Sequence, residues 1–135
     1  MHRKIGHVTL LVKDYDEAIE FYVQKAGFTV TADNDFGNGQ RWVSVTPSER
    51  NETEIVFVLA DTEDKLAKVG RQAADHVFLV LETDDCHRDY ISMKEKGVKF
   101  LGEPRKVPWG TEVVFEDLYG NLLDLLQVEL SQPTS

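Results

Sequence analysis

Ile5-Gly6-His7-Val8-Thr9-Leu10-Leu11-Val12 returns from position 74 as Ala74-Asp75-His76-Val77-Phe78-Leu79-Val80-Leu81. His-Val falls at the same place in both copies. Each copy is a run of β-branched and aliphatic residues, the pattern of a strand. A repeated unit governs the whole fold, so the rest of the chain is read outward from this pair. A helix start follows each strand. Asp14 precedes Glu17 by three positions, as in a capping box, and Asp84 or Asp85 serves the second copy. Each helix is expected to run about a dozen residues. Each then stops at a glycine, Gly27 or Gly97, which accepts positive φ without strain.

The correspondence continues beyond the helices. Short strands are expected at 28–30 and 98–100. Gly39-Gln40-Arg41-Trp42-Val43-Ser44-Val45 matches Gly110-Thr111-Glu112-Val113-Val114-Phe115-Glu116. Last strands at 54–59 and 122–127 close the halves, and Asn38-Gly39 and Gly120-Asn121 read as turns. The fold class is therefore α+β, with two tandem βαβββ modules, at about 4–60 and about 74–129, in a single domain over 1–130. The polar stretch 61–73 is a linker with a short helix around 65–72, Leu66 and Val69 on one side. Residues 131–135 are expected to form a disordered tail. One helix cannot cover both faces of a sheet. The uncovered faces are expected to curl into a cup-shaped mixed sheet around a small-molecule ligand.

Composition narrows the function. The 135 residues are 41% apolar and carry a formal net charge of −9. Nucleic acid is not an expected partner, because phosphate binding needs a clustered basic surface. An acidic membrane surface is disfavoured on the same ground, and no apolar run approaches the ~18 residues of a membrane helix. The opening Met1-His2-Arg3-Lys4 lacks the apolar stretch of a signal peptide. Cys86 is the single cysteine, which rules out an intrachain disulfide and fits the reducing cytoplasm.

Strand alternation sorts the candidate site residues. Val8, Leu10 and Val12 suit a helix-covered face, which sends His7, Thr9 and Leu11 to the other. By the same rule Val77, Leu79 and Leu81 face a helix, and His76, Phe78, Val80 and Glu82 face the cleft. Asp124 interrupts Leu122-Leu123-Asp124-Leu125-Leu126, a costly position for a carboxylate unless it is paired, ligated or solvated. Two histidines and a carboxylate, here His7, His76 and Asp124, are the donors of a metal site with open positions. Each histidine is equally well suited to a hydrogen bond in a core. Trp42 and Trp109 suit stacking on a flat ligand, or core packing. Glu112 and Arg41 are expected to face solvent, His87 to lie on the surface, and Cys86 to pack under its helix.

These motifs resemble the vicinal oxygen chelate superfamily of glyoxalase I, extradiol dioxygenases, fosfomycin-resistance thiol transferases and bleomycin-resistance proteins. The resemblance spans about residues 4–129. It is carried by Ile5-Gly6-His7-Val8, Asp14, Ala18, Phe21-Tyr22, Gly27-Phe28, Asp75-His76-Val77, Gly97-Val98-Lys99-Phe100, Pro108-Trp109-Gly110 and Phe115-Glu116-Asp117-Leu118-Tyr119-Gly120-Asn121. It implies a homodimer, and a divalent ion (Fe, Mn, Ni or Zn) on His7, His76 and Asp124. The fourth ligand position of metal-binding members maps onto Phe57 or Val56, neither a ligand, which disfavours glyoxalase I activity itself. Phe57, Phe78, Trp42 and Trp109 are then expected to line the substrate site. The resemblance leaves two functions open. One is metal-dependent lyase, isomerase, oxygenase or thiol-transfer chemistry. The other is metal-free binding of a small molecule or drug.

Overall fold

The computed structural model describes residues 2–129, so the tail expected at 131–135 lies outside the described residues. The chain divides into two compact units, Met1–Gln72 and Ala73–Ser135.

Unit 1 begins with strand β1 (His7–Val12) and helix α1 (Tyr15–Ile19). Asp14 caps α1, its carboxylate accepting from the Glu17 N–H at 2.9 Å. The helix then widens into a π-helical segment, Glu20–Lys25. The Ala26 N–H reaches back five residues to the Phe21 carbonyl, and Gly27 at φ +80° ends the element as expected. The widened turn directs both Phe21 and Tyr22 inward, where they meet edge to face at 5.2 Å. Strands β2 (Thr29–Gly37), β3 (Gln40–Thr46) and β4 (Glu54–Leu59) complete a sheet of order β1-β4-β3-β2. Only β1 and β4 run parallel. The strand expected at 28–30 is therefore much longer. Asn38 at φ +56° and Gly39 at φ +76° form a turn with positive φ at both central residues, which lets β2 and β3 pair from end to end.

The linker helix α2 spans Glu63–Lys68, a little earlier than expected, because Thr62 caps it through the Lys65 N–H. Gln72 then serves the sheet. Its side-chain oxygen accepts from the Leu11 N–H at 2.7 Å, and its amide nitrogen donates to the Thr9 carbonyl at 3.2 Å. One side chain thus does for the edge of β1 what a neighbouring strand would do.

Unit 2 contains β5 (Val77–Glu82), helix α3 (Cys86–Glu95), β6 (Lys99–Phe100), β7 (Arg105–Val107), β8 (Gly110–Glu116) and β9 (Leu122–Val128). The order is β5-β9-β8-β6, with β7 also pairing β8. This is one strand more than the expected four. Gly102 and Pro104 interrupt what is one strand in unit 1, because proline lacks the ladder donor and glycine packs nothing. Asp85 rather than Asp84 caps α3.

Each core lies between a helix and one face of its sheet. In unit 1, Leu10, Val12, Val43 and Phe57 are at most 1% exposed, and Tyr22 meets Phe57 at 5.7 Å between ring centres. In unit 2, Val113, Phe115, Leu123 and Leu125 take that role beneath Cys86, Tyr90 and Met93. Burying each such side chain contributes about 1.5–3 kcal/mol, so these stripes set the register of each sheet.

Gly110 opens β8 at φ +153°, and a Cβ built there would fall 1.9 Å from the Gln127 carbonyl oxygen. That oxygen belongs to the backbone of the paired strand and cannot step aside. Gly110→Ala is expected to cost roughly 3 kcal/mol or more, read as a lower urea midpoint at unchanged slope.

Candidate functional site

The face of each sheet turned away from its helix carries the polar residues. In unit 1 it presents His7, Thr9 and Leu11 from β1, Val56 and Val58 from β4, and Trp42 and Ser44 from β3. Trp42 is 39% exposed and stands edge-on to His7, with ring centres 5.4 Å apart. Ser44 is fully buried and shares a 2.7 Å hydrogen bond with Thr31. Phe57, expected to line the ligand site, faces α1 instead. It pairs with Leu10, and its ring lies against Tyr22. Val56 is the residue on the free face, opposite Ser44.

In unit 2 the equivalent face presents Asp124 between Val80 and Val114. Val114–Asp124 stands in its sheet as Ser44–Val56 does in unit 1, one residue off the expected match of Ser44 with Phe115, so Asp124 occupies the place that Val56 fills in unit 1. One Asp124 oxygen, Oδ1, is sealed from solvent without a hydrogen-bond partner. The neighbour that matters is Glu112. Expected to face solvent, it is only 9% exposed. Its Oε2 accepts from Arg105 Nη2 and its Oε1 from Trp109 Nε1, both at 3.3 Å. Burial and then the nearby Glu112 push the Asp124 carboxyl up to about 6, against a smaller opposing pull from Arg105. Two carboxyls this close do not both ionise freely. Alternation could have placed Glu112 on this face, two residues from Val114. What it lacked was any sign that the residue would be covered.

The other expected residues fall as follows. His76 is not on a strand; it stands exposed just before β5, its N–H bonded to the Ala73 carbonyl at 3.0 Å. Ala74 at φ +56° turns the chain there, and β5 starts only at Val77. Phe78 is half-buried where the ladder to β9 skips a residue, between Val77 and Leu79. Trp109 is 47% exposed in the turn between β7 and β8. Arg41 does not simply face water. It spans Asp33 at 2.8 Å and Asp16 at 3.0 Å, lies over the Tyr15 ring, and its pKa is raised by those two carboxylates. His87 is exposed. Cys86 is wholly buried, and burial pushes its thiol up to about 11, which leaves it unreactive.

As for a metal, no three His, Cys, Asp or Glu side chains gather within either unit, among the described residues, in a way that would hold an ion. The expected donors are divided, with His7 in unit 1 and His76 and Asp124 in unit 2. At a value of about 6 the Asp124 carboxyl is largely ionised at neutral pH, as a ligand must be. Its unsatisfied oxygen is the one feature that favours a missing partner.

Residues 4–125 match the family model of the Glyoxalase/Bleomycin resistance protein/Dioxygenase superfamily. A protein of Shewanella frigidimarina is 44% identical over 134 residues, covering 98% of this chain and 99% of that one. Among solved structures, UcmS2 is similar with a TM-score of 0.81 and 34% identity, covering 93% of this chain and 98% of its own. TnmS3, an antibiotic binding protein from Streptomyces sp. CB03234, has a TM-score of 0.76 and 29% identity, over 95% of this chain and 98% of its own. No helix among the described residues is long and apolar enough to cross a membrane.

The Asp124 shift has a defined sign. Its folded value of about 6 exceeds the unfolded value near 3.8, so its cost is absent below the unfolded pKa and grows as pH rises through about 6. Asp124→Asn is therefore expected to gain about 1 kcal/mol on the natural chain between pH 4.5 and 7.5, after allowing for solvent screening. Urea unfolding of both proteins at the two pH values measures this.

Proposed function

As this chain belongs to the Glyoxalase/Bleomycin resistance protein/Dioxygenase superfamily, we propose that it is a binding protein that holds a small, partly aromatic molecule without a metal. The observation that carries the reading is the exposed indole of Trp42, braced edge-on by His7, on the face its helix leaves free. A half-exposed aromatic ring held in place offers a stacking surface at little entropic cost. Val56, which cannot bind a metal, stands on that face where the family resemblance places a ligand in metal-binding members. The similarity to TnmS3, an antibiotic binding protein, supports the same reading. In this reading the chain acts as a cytoplasmic homodimer.

The competing reading is a divalent ion on His7, His76 and Asp124, favoured by the unsatisfied Asp124 oxygen. Such an ion would supply Lewis acidity toward substrate oxygens.

One experiment separates the two. Chelator-treated protein is titrated with a panel of aromatic antibiotics while tryptophan fluorescence is followed, and is separately loaded with Fe(II), Mn(II), Ni(II) and Zn(II). Expected are a micromolar Kd that ignores the chelator, a loss of about tenfold or more in Trp42→Ala, and less than about a tenth of an equivalent of any metal. Stoichiometric metal, lost in both His7→Ala and Asp124→Ala, would overturn the proposal.

A further inference from the structure

Unit 2 contains a cavity of about 250 Å³ between β8 and the segment 101–105. Leu101 and Val114 form its apolar wall; Glu103, Arg105 and Glu112 supply its polar groups. Two carboxylates thus face one guanidinium, and Asp124 adds a third acid behind Glu112. The counter-charge is loosely held. The Arg105 side chain is 74% exposed, and its 3.3 Å contact lies past the usual range for N–H···O bonds. An exposed pair of this kind holds weakly. The Trp109 N–H is no closer, at 3.3 Å. Glu112 is nevertheless 9% exposed, and the Asp124 Oδ1 beyond it has no donor at all. A buried carboxylate with weak partners is costly to keep.

We infer that this cavity takes the protonated-amine end of a ligand, whose ammonium donates to Glu112 in place of Arg105. The inference rests on the small-molecule reading above and names the ligand's chemical class. An anionic end would meet the acids directly, and an apolar end would leave Glu112 no better partnered. The volume lies below the ~300–1,000 Å³ of whole-ligand pockets, so it admits an end group rather than the entire molecule.

The test uses 2-(naphthalen-2-yl)ethylamine, a primary ammonium at pH 7.5, against 2-(naphthalen-2-yl)ethanol, its uncharged near-isostere. Both are titrated by fluorescence into the full chain. The cation is expected to bind about tenfold tighter or better. Glu112→Gln removes that preference. Arg105→Ala, at an exposed position that does not threaten folding, tightens the amine several-fold and leaves the alcohol unchanged. Equal affinities overturn the inference while the small-molecule reading stands, as does an Arg105→Ala variant that binds the cation no better. If neither probe binds, the inference fails. If the antibiotic panel is also silent, both readings fail together.

Discussion

A single helix covers one face of a sheet and no more. Unit 1 has α1 with its π-helical extension, and unit 2 has α3, each laid against a mixed sheet. Apolar burial therefore concentrates on the helix side of each unit, from Leu10 and Phe57 to Phe115 and Leu123. Everything chemically distinctive is left to the other side. His7, Trp42, Asp124 and Glu112 all lie there because strand alternation excludes them from the helix side.

The two units solve the same packing problem with different local chemistry. In unit 1 the Asn38-Gly39 turn lets β2 run nine residues beside β3. In unit 2, Gly102 and Pro104 divide that strand into β6 and β7. The interruption opens the small cavity beside Glu112. The free faces diverge in the same way: Val56 in unit 1 answers Asp124 in unit 2. One half offers a braced aromatic ring and the other a covered acid pair.

Asp124 illustrates how a costly residue is accommodated. A lone carboxylate among leucines is unfavourable, and burial together with the nearby Glu112 raises its value to about 6. Arg105 offsets part of the remaining charge from an exposed position. The arrangement is incompletely satisfied, since the Asp124 Oδ1 has no hydrogen-bond partner.

The sequence by itself determined the duplication, the cap at Asp14, the glycine stops and the face on which His7 lies, and left the second cap between Asp84 and Asp85. These are local matters, decided by period-two alternation, capping chemistry and backbone freedom, and the order of motifs sufficed to indicate the family. Only the tertiary structure decided that Phe57 packs on Tyr22 while Val56 faces the other way, since a one-residue register choice inverts a strand. It also decided that His76 falls before β5, and that Glu112 is buried beside Asp124 under Arg105 and Trp109. Burial depends on what a neighbouring strand or loop lays over a side chain, and that neighbour is remote in sequence from Asp124. The two-histidine pattern was therefore legible at once, whereas the acid pair needed strands β7, β8 and β9 side by side.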